Sequence, residues 1–509
     1  MKEHYLPKGM VIACLLLILL HGITNELQAQ DKPARLDSLF ASLFDQHEFN
    51  GNVLVAEKGE VVYRRSFGYA DVGSKLLNTD QTAFNLASVS KTFTAVAILQ
   101  LKQSGKLKLD DPFIKYFPDF PWRQITLRHL LSHTSGLPDY QIFEKPYSEH
   151  PEKIYSLNDL IPALKNDSRG LLFKTGERYS YSNTGFGLLA LLVEKLTAMK
   201  FPDYLAKYIF KPAGMVHTYI ETPLLSVADK NRAQRYEFLS YSPGQLKRID
   251  SVKGDHIQSV ILGAIVGPTA VVSTTGDLLK FDEALYGGLL LKQQVLEEAF
   301  VPALLNNGDK AANGRANTKS YYGLGWMILQ DSTYGKVVWH SGGASGVVTV
   351  FLRNITRKQT VVVLDNVTHR GLHPEGVNAF YILNNGPIFG GKRSLAKDYV
   401  ITLHQKGADA AAVLFNELKA DTSHYFMDEM ELNKLGYNLM NDGFLKEALE
   451  AFKFNTLLYP ASFNTYDSYA EALAGAGRKE EAIKMYEKSI VLNPQNEGGK
   501  KALNQLKGK

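Results

Sequence analysis

The spacing of hydrophobic positions along this chain changes several times, and each change marks a different kind of element. Between residues 50 and 68 the period is two. Asn52 to Ala56 alternates, Lys58-Gly59 supplies a turn, and Val61 to Phe67 returns, which predicts a β-hairpin. Ser88 to Gln103 predicts a helix closed by Gly105. Its apolar residues, Val89, Phe93, Ala95 to Leu99 and Leu101, cover nearly the whole circumference, so it should be buried on most sides. From about Leu107 to Ala284 helical periodicity dominates, with turns at Gly136-Leu137-Pro138 and Gly267-Pro268. Strand signals then return at Gly325 to Leu329, Lys336 to His340, Val347 to Arg353 and Gln359 to Asp365. The short turns between the last three favour antiparallel hairpins. Strands at both ends with helices between imply one domain whose early and late segments share a sheet.

After about residue 385 the pattern is helical only, and it repeats. Leu435, Gly436, Leu439, Gly443, Ala448, Phe452 and Pro460 return 34 residues later as Tyr469, Ala470, Leu473, Gly477, Ala482, Tyr486 and Pro494. That period, with small residues where helices cross and a closing proline, is the tetratricopeptide pattern. Leu395 to Leu418 reads as a degenerate helical pair before the repeats, and Asn496 to Leu506 as a polar capping helix. Such a tail either packs on the rest of the chain or offers a docking groove to a protein partner.

The first thirty residues follow a different rule. Lys2 and Lys8 precede an apolar run from Met10 to Leu20, and Ala29 sits near the end of a polar stretch before Asp31. That order predicts a secretory signal at 1–30, with export to the periplasm or medium. A retained anchor is the alternative, but so short a run cannot cross a hydrocarbon core of ~30 Å as a helix. The only cysteine, Cys14, lies inside the run. A mature chain would then hold no cysteine, which excludes disulfides, thiolate catalysis and Cys-ligated metal. No later run is apolar and long enough for a membrane span. The net charge of +5 on 509 residues, with no basic stripe, argues against a nucleic-acid partner. With 45% hydrophobic and 21% charged residues, the chain can bury large cores.

Three motifs carry candidate chemistry. In Ser88-Val89-Ser90-Lys91, serine and lysine lie one helical turn apart on one face. A buried lysine loses solvation of its charged form, so it can accept the serine proton, and helix-terminal N–H groups favour negative charge nearby. Alone the match is weak, because about two S-x-x-K matches arise by composition in a chain this long. In Tyr181-Ser182-Asn183, a phenol near an ammonium is expected to titrate below its usual ~10 and relay protons, while the amide binds substrate and lysine. His340-Ser341-Gly342-Gly343 ends one strand before another begins. Its N–H groups could face an oxyanion, and the histidine could orient a substrate carboxylate or the tyrosine.

Together, in the order S-x-x-K, Y-x-N and basic residue-x-Gly, the motifs have the grammar of serine β-lactamases and penicillin-binding proteins. From about Phe49 to Leu383 the chain resembles the class C β-lactamase and D-alanyl-D-alanine carboxypeptidase family, which also holds D-aminopeptidases and esterases. His129 to Leu137, Lys211-Pro212-Ala213-Gly214-Met215 and Tyr322-Gly323-Leu324-Gly325-Trp326 are similar to further signatures of that family. The resemblance implies an α/β fold of the α+β type: an antiparallel β-sheet flanked by helices, plus an all-helical subdomain, over residues 31–388. An all-α domain follows over 389–509. It also implies Ser88 as nucleophile, Lys91 as base, Tyr181 as proton shuttle, and Asn183, His340 and Gly342 as substrate-binding residues. Ser88 and Gly343 would supply the oxyanion hole. No cofactor and no metal are implied, and the family signature accounts for His129 and His133.

The β-lactamases of this family carry lysine in the third motif, where this chain has His340. Histidine there resembles the peptidase and esterase branches and would hold a carboxylate less firmly. The expected activity is therefore hydrolysis of an amide or ester of a small peptide or D-amino-acid derivative through an acyl-enzyme on Ser88. An inactive binding scaffold and a true β-lactamase are the alternatives. The loops Pro138 to Glu152 and Gln234 to Gln258 carry no readable specificity.

Overall fold

The computed structural model describes residues 32–508 except 226–227, 240, 243, 250–262, 313–319, 332, 369–373, 387 and 389–391. The expected signal segment and part of the loop from Gln234 to Gln258 lie outside the described residues. The chain divides into two compact units. One comprises residues 1–237 and 248–388, and the other comprises 238–247 and 389–509.

The first unit is built on a seven-stranded antiparallel sheet. Its strands in chain order are β1 (Gly51–Glu57), β2 (Glu60–Ser66), β3 (Ser320–Tyr322), β4 (Met327–Asp331), β5 (Gly335–Ala344), β6 (Val347–Asn354) and β7 (Gln359–Asp365). Their order across the sheet is β3-β4-β5-β6-β7-β1-β2, so the first hairpin closes onto the last strand, with Val53 opposite Val363. Lys58 and Gly59, at φ 57° and 86°, make the tight turn between β1 and β2.

Both faces of the sheet are covered, which explains why central strands such as Thr360-Val-Val-Val-Leu364 read as continuous apolar runs. Val53, Val55, Val350, Leu352, Val361 and Val363 point into one core, beneath the helix at 32–45 and α5 (Pro374–Leu383). Their neighbours Leu54, Phe351, Val362 and Leu364 enter the other core. That core also takes α2 (Ser90–Gln103), α3 (Asn183–Thr197) and α4 (Thr275–Tyr286), the helix at 32–45 being α1. Successive residues thus serve opposite faces, as the pleat requires. α2 is buried at eleven of its positions, because it is wrapped by other helices and by the sheet.

Two local features depart from the periodicity. Ala87–Val89 forms a separate 3₁₀ turn and the α-helix begins only at Ser90. The helix-rich middle is mostly short pieces, such as Leu127–Leu131 and Leu160–Asn166, with α3 the longest of them.

In the second unit, α6 (Leu395–Lys406) and α7 (Ala408–Leu418) meet at Gly407, whose φ is 87°. The helices α8 (Glu429–Asn441) and α9 (Leu445–Leu458) are followed by α10 (Phe463–Gly475) and α11 (Lys479–Leu492). Each helix of the second pair thus starts 34 residues after its counterpart. A Cβ on Gly436 would lie 2.7 Å from the Phe452 ring, so glycine lets α8 and α9 approach. Asn496 caps the last helix, Glu497–Leu506, by accepting the Gly499 N–H. Residues 238–247 were not distinguishable by periodicity from the first unit. Their Tyr241 packs on His404 and Phe444 and donates to Asp442 at 2.8 Å, inside the helical core.

Candidate active site

Ser88 stands in the 3₁₀ turn that leads into α2. Ala87 before it is held at φ 43°, a backbone state of order 1–3 kcal/mol above the ordinary ones for a residue with a Cβ. The turn is pinned from two sides. Asn85 Oδ1 accepts the Ala87 N–H at 2.8 Å, and Thr349 Oγ1 donates to the Leu86 carbonyl at 2.9 Å. β5 presses against the same turn. A Cβ on Gly342 would fall 2.2 Å from both Leu86 O and Thr349 Oγ1, so only glycine permits this approach. The next residue, Gly343, is exposed.

One helical turn beyond Ser88, Lys91 is completely buried. Its Nζ lies 3.0 Å from Ser88 Oγ, 2.7 Å from Asn183 Oδ1 and 3.1 Å from Pro268 O. Burial pushes its pKa down from 10.5 to about 7, against the pull of the Asp139 carboxylate. The three partners are not equivalent. The amide and peptide oxygens can only accept, whereas the Ser88 hydroxyl can donate or accept. An ammonium would donate to all three. A neutral amine would spend its two N–H groups on Asn183 and Pro268, which leaves its lone pair for the Ser88 proton.

Pro268 reaches this position because Gly267, at φ 106°, lies flat on α3; a Cβ there would sit 2.6 Å from Phe186 O and 2.7 Å from Ala190 Cβ. Thr94 Oγ1 donates to Gly267 O at 2.7 Å and fixes the segment to α2.

Tyr181 and Asn183 flank the start of α3, with Ser182 as N-cap. The Tyr181 ring centroid is 4.7 Å from Lys91 Nζ, and its hydroxyl lies near enough to the Ser88 side chain for Ser88 to favour the phenolate. The sequence suggested a phenol titrating below its ordinary value. The structure reverses this: burial, aided by Asp139, raises the Tyr181 pKa and outweighs the influence of Ser88. The phenol keeps its proton at neutral pH. Beneath it lies the His133 ring, 4.3 Å away between centroids, with Nδ1 accepting the Ser182 N–H at 3.1 Å. Burial depresses the His133 pKa strongly, so the ring stays neutral.

His340 is fully buried, and both its nitrogens are engaged within the fold. Nδ1 lies 2.7 Å from Ser341 O, and Nε2 lies 3.0 Å from Tyr322 Oη. Since Ser341 O only accepts, Nδ1 carries the proton there and Nε2 takes the Tyr322 hydrogen. Its ring centroid is 6.4 Å from that of Tyr181. The expected role of His340 toward a substrate carboxylate therefore has to be played by a ring whose Nδ1 and Nε2 are already bonded to β5 and β3.

The structure thus gathers Ser88, Lys91, Tyr181 and Asn183 within hydrogen-bonding or ring contact, and sets β5 with Gly342 and Gly343 against the serine turn. It adds groups that periodicity did not single out: Asp139, Tyr322 and the Pro268 carbonyl. Asp139 accepts the N–H of Asn183 at 2.8 Å and of Thr184 at 3.2 Å, and the Asn183 side-chain amide at 2.9 Å. The visible signals were a turn at Gly136-Leu137-Pro138 just before Asp139 and the Tyr322 motif, neither with an assigned role. His129, the other histidine of its signature, caps the Leu127–Leu131 helix through Thr126.

Comparison with known proteins places this geometry. The family model described as Beta-lactamase matches residues 36–380. Penicillin-binding protein 4* of Bacillus subtilis is 37% identical over 345 residues, which is 66% of this chain and 72% of that protein. A crystal structure of a penicillin binding protein from Bacillus halodurans is 26% identical with a TM-score of 0.56, and covers 68% of this chain and 98% of that one. The D-amino acid amidase from Ochrobactrum anthropi, complexed with L-phenylalanine amide, shares the fold at 24% identity and a TM-score of 0.55, over 70% of this chain and 99% of its own. Residues 36–380 cover most of the first unit, and with them the chain belongs to the β-lactamase family of serine hydrolases.

Proposed function

We propose that the protein hydrolyses an amide or ester of a small peptide or D-amino-acid derivative through an acyl-enzyme on Ser88. The observation that carries this reading is the buried Lys91 amine, 3.0 Å from Ser88 Oγ, with its other two hydrogen-bonding directions taken by obligate acceptors. Ser88 Oγ gives its proton to the Lys91 lone pair and bonds to the carbonyl carbon. The N–H groups of Ser88 and Gly343 serve the resulting oxyanion, as a preorganised pair of donors beside a helix start. Tyr181, which holds its proton, passes it to the departing nitrogen or oxygen and is reprotonated from Lys91. Water then attacks the ester by the reverse route, which frees Ser88 and the acid product.

Asn183 serves substrate and lysine together, Gly342 sets the distance of β5, and His340 braces β5 through Tyr322. A His340 committed to the fold supports a substrate recognised by its acyl group, with less reliance on a carboxylate than in the β-lactamases. Residues 1–30 act as an export signal, and 389–509 form a tetratricopeptide-like domain that recruits a protein partner. N-terminal sequencing of the exported protein tests the signal.

A fluorophosphonate probe tests the enzymatic reading. Labelling of the wild type and none of Ser88→Ala is expected. Absence of labelling in both, in folded protein, would leave a binding scaffold in its place.

A further inference from the structure

We infer that Asp139 is a positioning residue for acylation: its carboxylate locks the Asn183 side-chain amide with the oxygen toward Lys91, and so directs the lysine lone pair at Ser88. This rests on the acylation reading of Ser88.

The amide of Asn183 has two possible orientations, and its two neighbours decide between them. Asp139 Oδ2, 2.9 Å from Nδ2, can only accept while ionised, so it requires the NH₂ group on its side. The oxygen is then left for Lys91 Nζ at 2.7 Å. In the flipped amide, the NH₂ group would face Nζ and compete with the Ser88 hydroxyl for the lone pair. Asp139 Oδ1 meanwhile accepts the backbone N–H groups of Asn183 and Thr184, so carboxylate, helix start and amide form one rigid unit. Ionisation of Asp139 is supported by these three donors and by Lys91, and opposed by burial, which raises its pKa.

The same charge acts on Lys91 through space. Lys91 is faced by Ser88 from the 3₁₀ turn, by Tyr181 and Asn183 from the start of α3, by Pro268 O, and by Asp139 from its loop. His133 and Tyr140 lie within electrostatic reach of Lys91 and Asp139 respectively. Among the described residues Asp139 is the anion that acts on Lys91, and it favours the ammonium. Removing it must therefore lower the pH at which the lysine becomes neutral, even as the amide loses its fixed orientation.

The test is the rate of covalent labelling of Ser88 by a fluorophosphonate, measured against pH. Asp139→Asn retains an oxygen acceptor for the helix start. It should lower the plateau rate by about 100-fold, the scale of a misdirected general base, while its acid limb moves to lower pH. A residue that merely supports the fold would not move that limb. Combined with Asn183→Ala, the substitution should add little further loss, because both act through one amide. Should Asp139→Asn not fold, Asp139→Glu keeps the charge but displaces it, and a lower plateau with an unmoved limb is expected. Wild-type rate and pH profile in either variant, or full additivity with Asn183→Ala, would overturn the inference. If instead Lys91→Ala labels at the wild-type rate, the acylation reading itself fails, and the two failures are distinguishable.

Discussion

Gly342 stands so close to Leu86 that a single added Cβ would lie 2.2 Å from its carbonyl oxygen. β5 and the serine turn are therefore one packed object, and the distance between Ser88 and Gly343 is set by a missing side chain.

Gly342→Ala should force that contact apart. Overpacking of this kind costs about 1–3 kcal/mol, and displacement of the turn should also slow labelling of Ser88 disproportionately. Urea unfolding together with probe labelling checks both; an unchanged labelling rate would show that the turn does not depend on β5.

Tyr322→Phe removes the hydroxyl that His340 Nε2 accepts, in a fully buried position. An unsatisfied buried acceptor costs about 1–3 kcal/mol. The unfolding midpoint in urea should drop accordingly, while a variant with full stability would mean that His340 finds another donor.

Asp282 of α4 is fully buried, receives Thr360 Oγ1 at 2.9 Å and pairs with Arg353 across β6 and β7. Asp282→Ala leaves the guanidinium without its anion and should cost about 3–5 kcal/mol. Adding Arg353→Met should restore much of that loss in the same unfolding assay, because the uncompensated charge goes with it.

Under the proposed function, substrate preference follows from His340. In a panel of a chromogenic cephalosporin, a D-Ala-D-Ala peptide, a D-amino-acid anilide and a short-chain nitrophenyl ester, the cephalosporin should be turned over most slowly. Steady-state kcat/KM values decide, and fast cephalosporin turnover would contradict the reading of His340 as a brace.

Much of this architecture is written in local patterns. The hairpin β1–β2 and the strands from β4 to β7 show themselves by β-branched and apolar runs bounded by turn residues, continuous where both faces of the sheet are covered. Ser88 and Lys91 are legible because a three-residue spacing brings them together, here across the 3₁₀ turn and the first turn of α2. Tyr181 and Asn183 stand out only beside the other motifs. What was not legible depends on where loops return. Pro268 O reaches Lys91 because Gly267 lies on Phe186 and Ala190, 77 or more residues away in sequence. Asp139 likewise acts on the start of a helix 44 residues later. The direction of the Tyr181 pKa is hidden for a related reason: a sequence displays the neighbouring lysine, but not the burial that raises the phenol's pKa.

The most direct measurement is the rate at which Ser88 is acylated as a function of pH, in the wild type and in Lys91→Ala, read by intact mass spectrometry. Burial places the lysine near pH 7, so wild-type acylation should rise with pH through that value as the ammonium gives up its proton. Lys91→Ala should be slower by about 1,000-fold or more, on the scale of losing an activating base, and should lack that rise. Acylation of Lys91→Ala at the wild-type rate, with the same pH dependence, would contradict a lone pair on Lys91 as the group that activates Ser88.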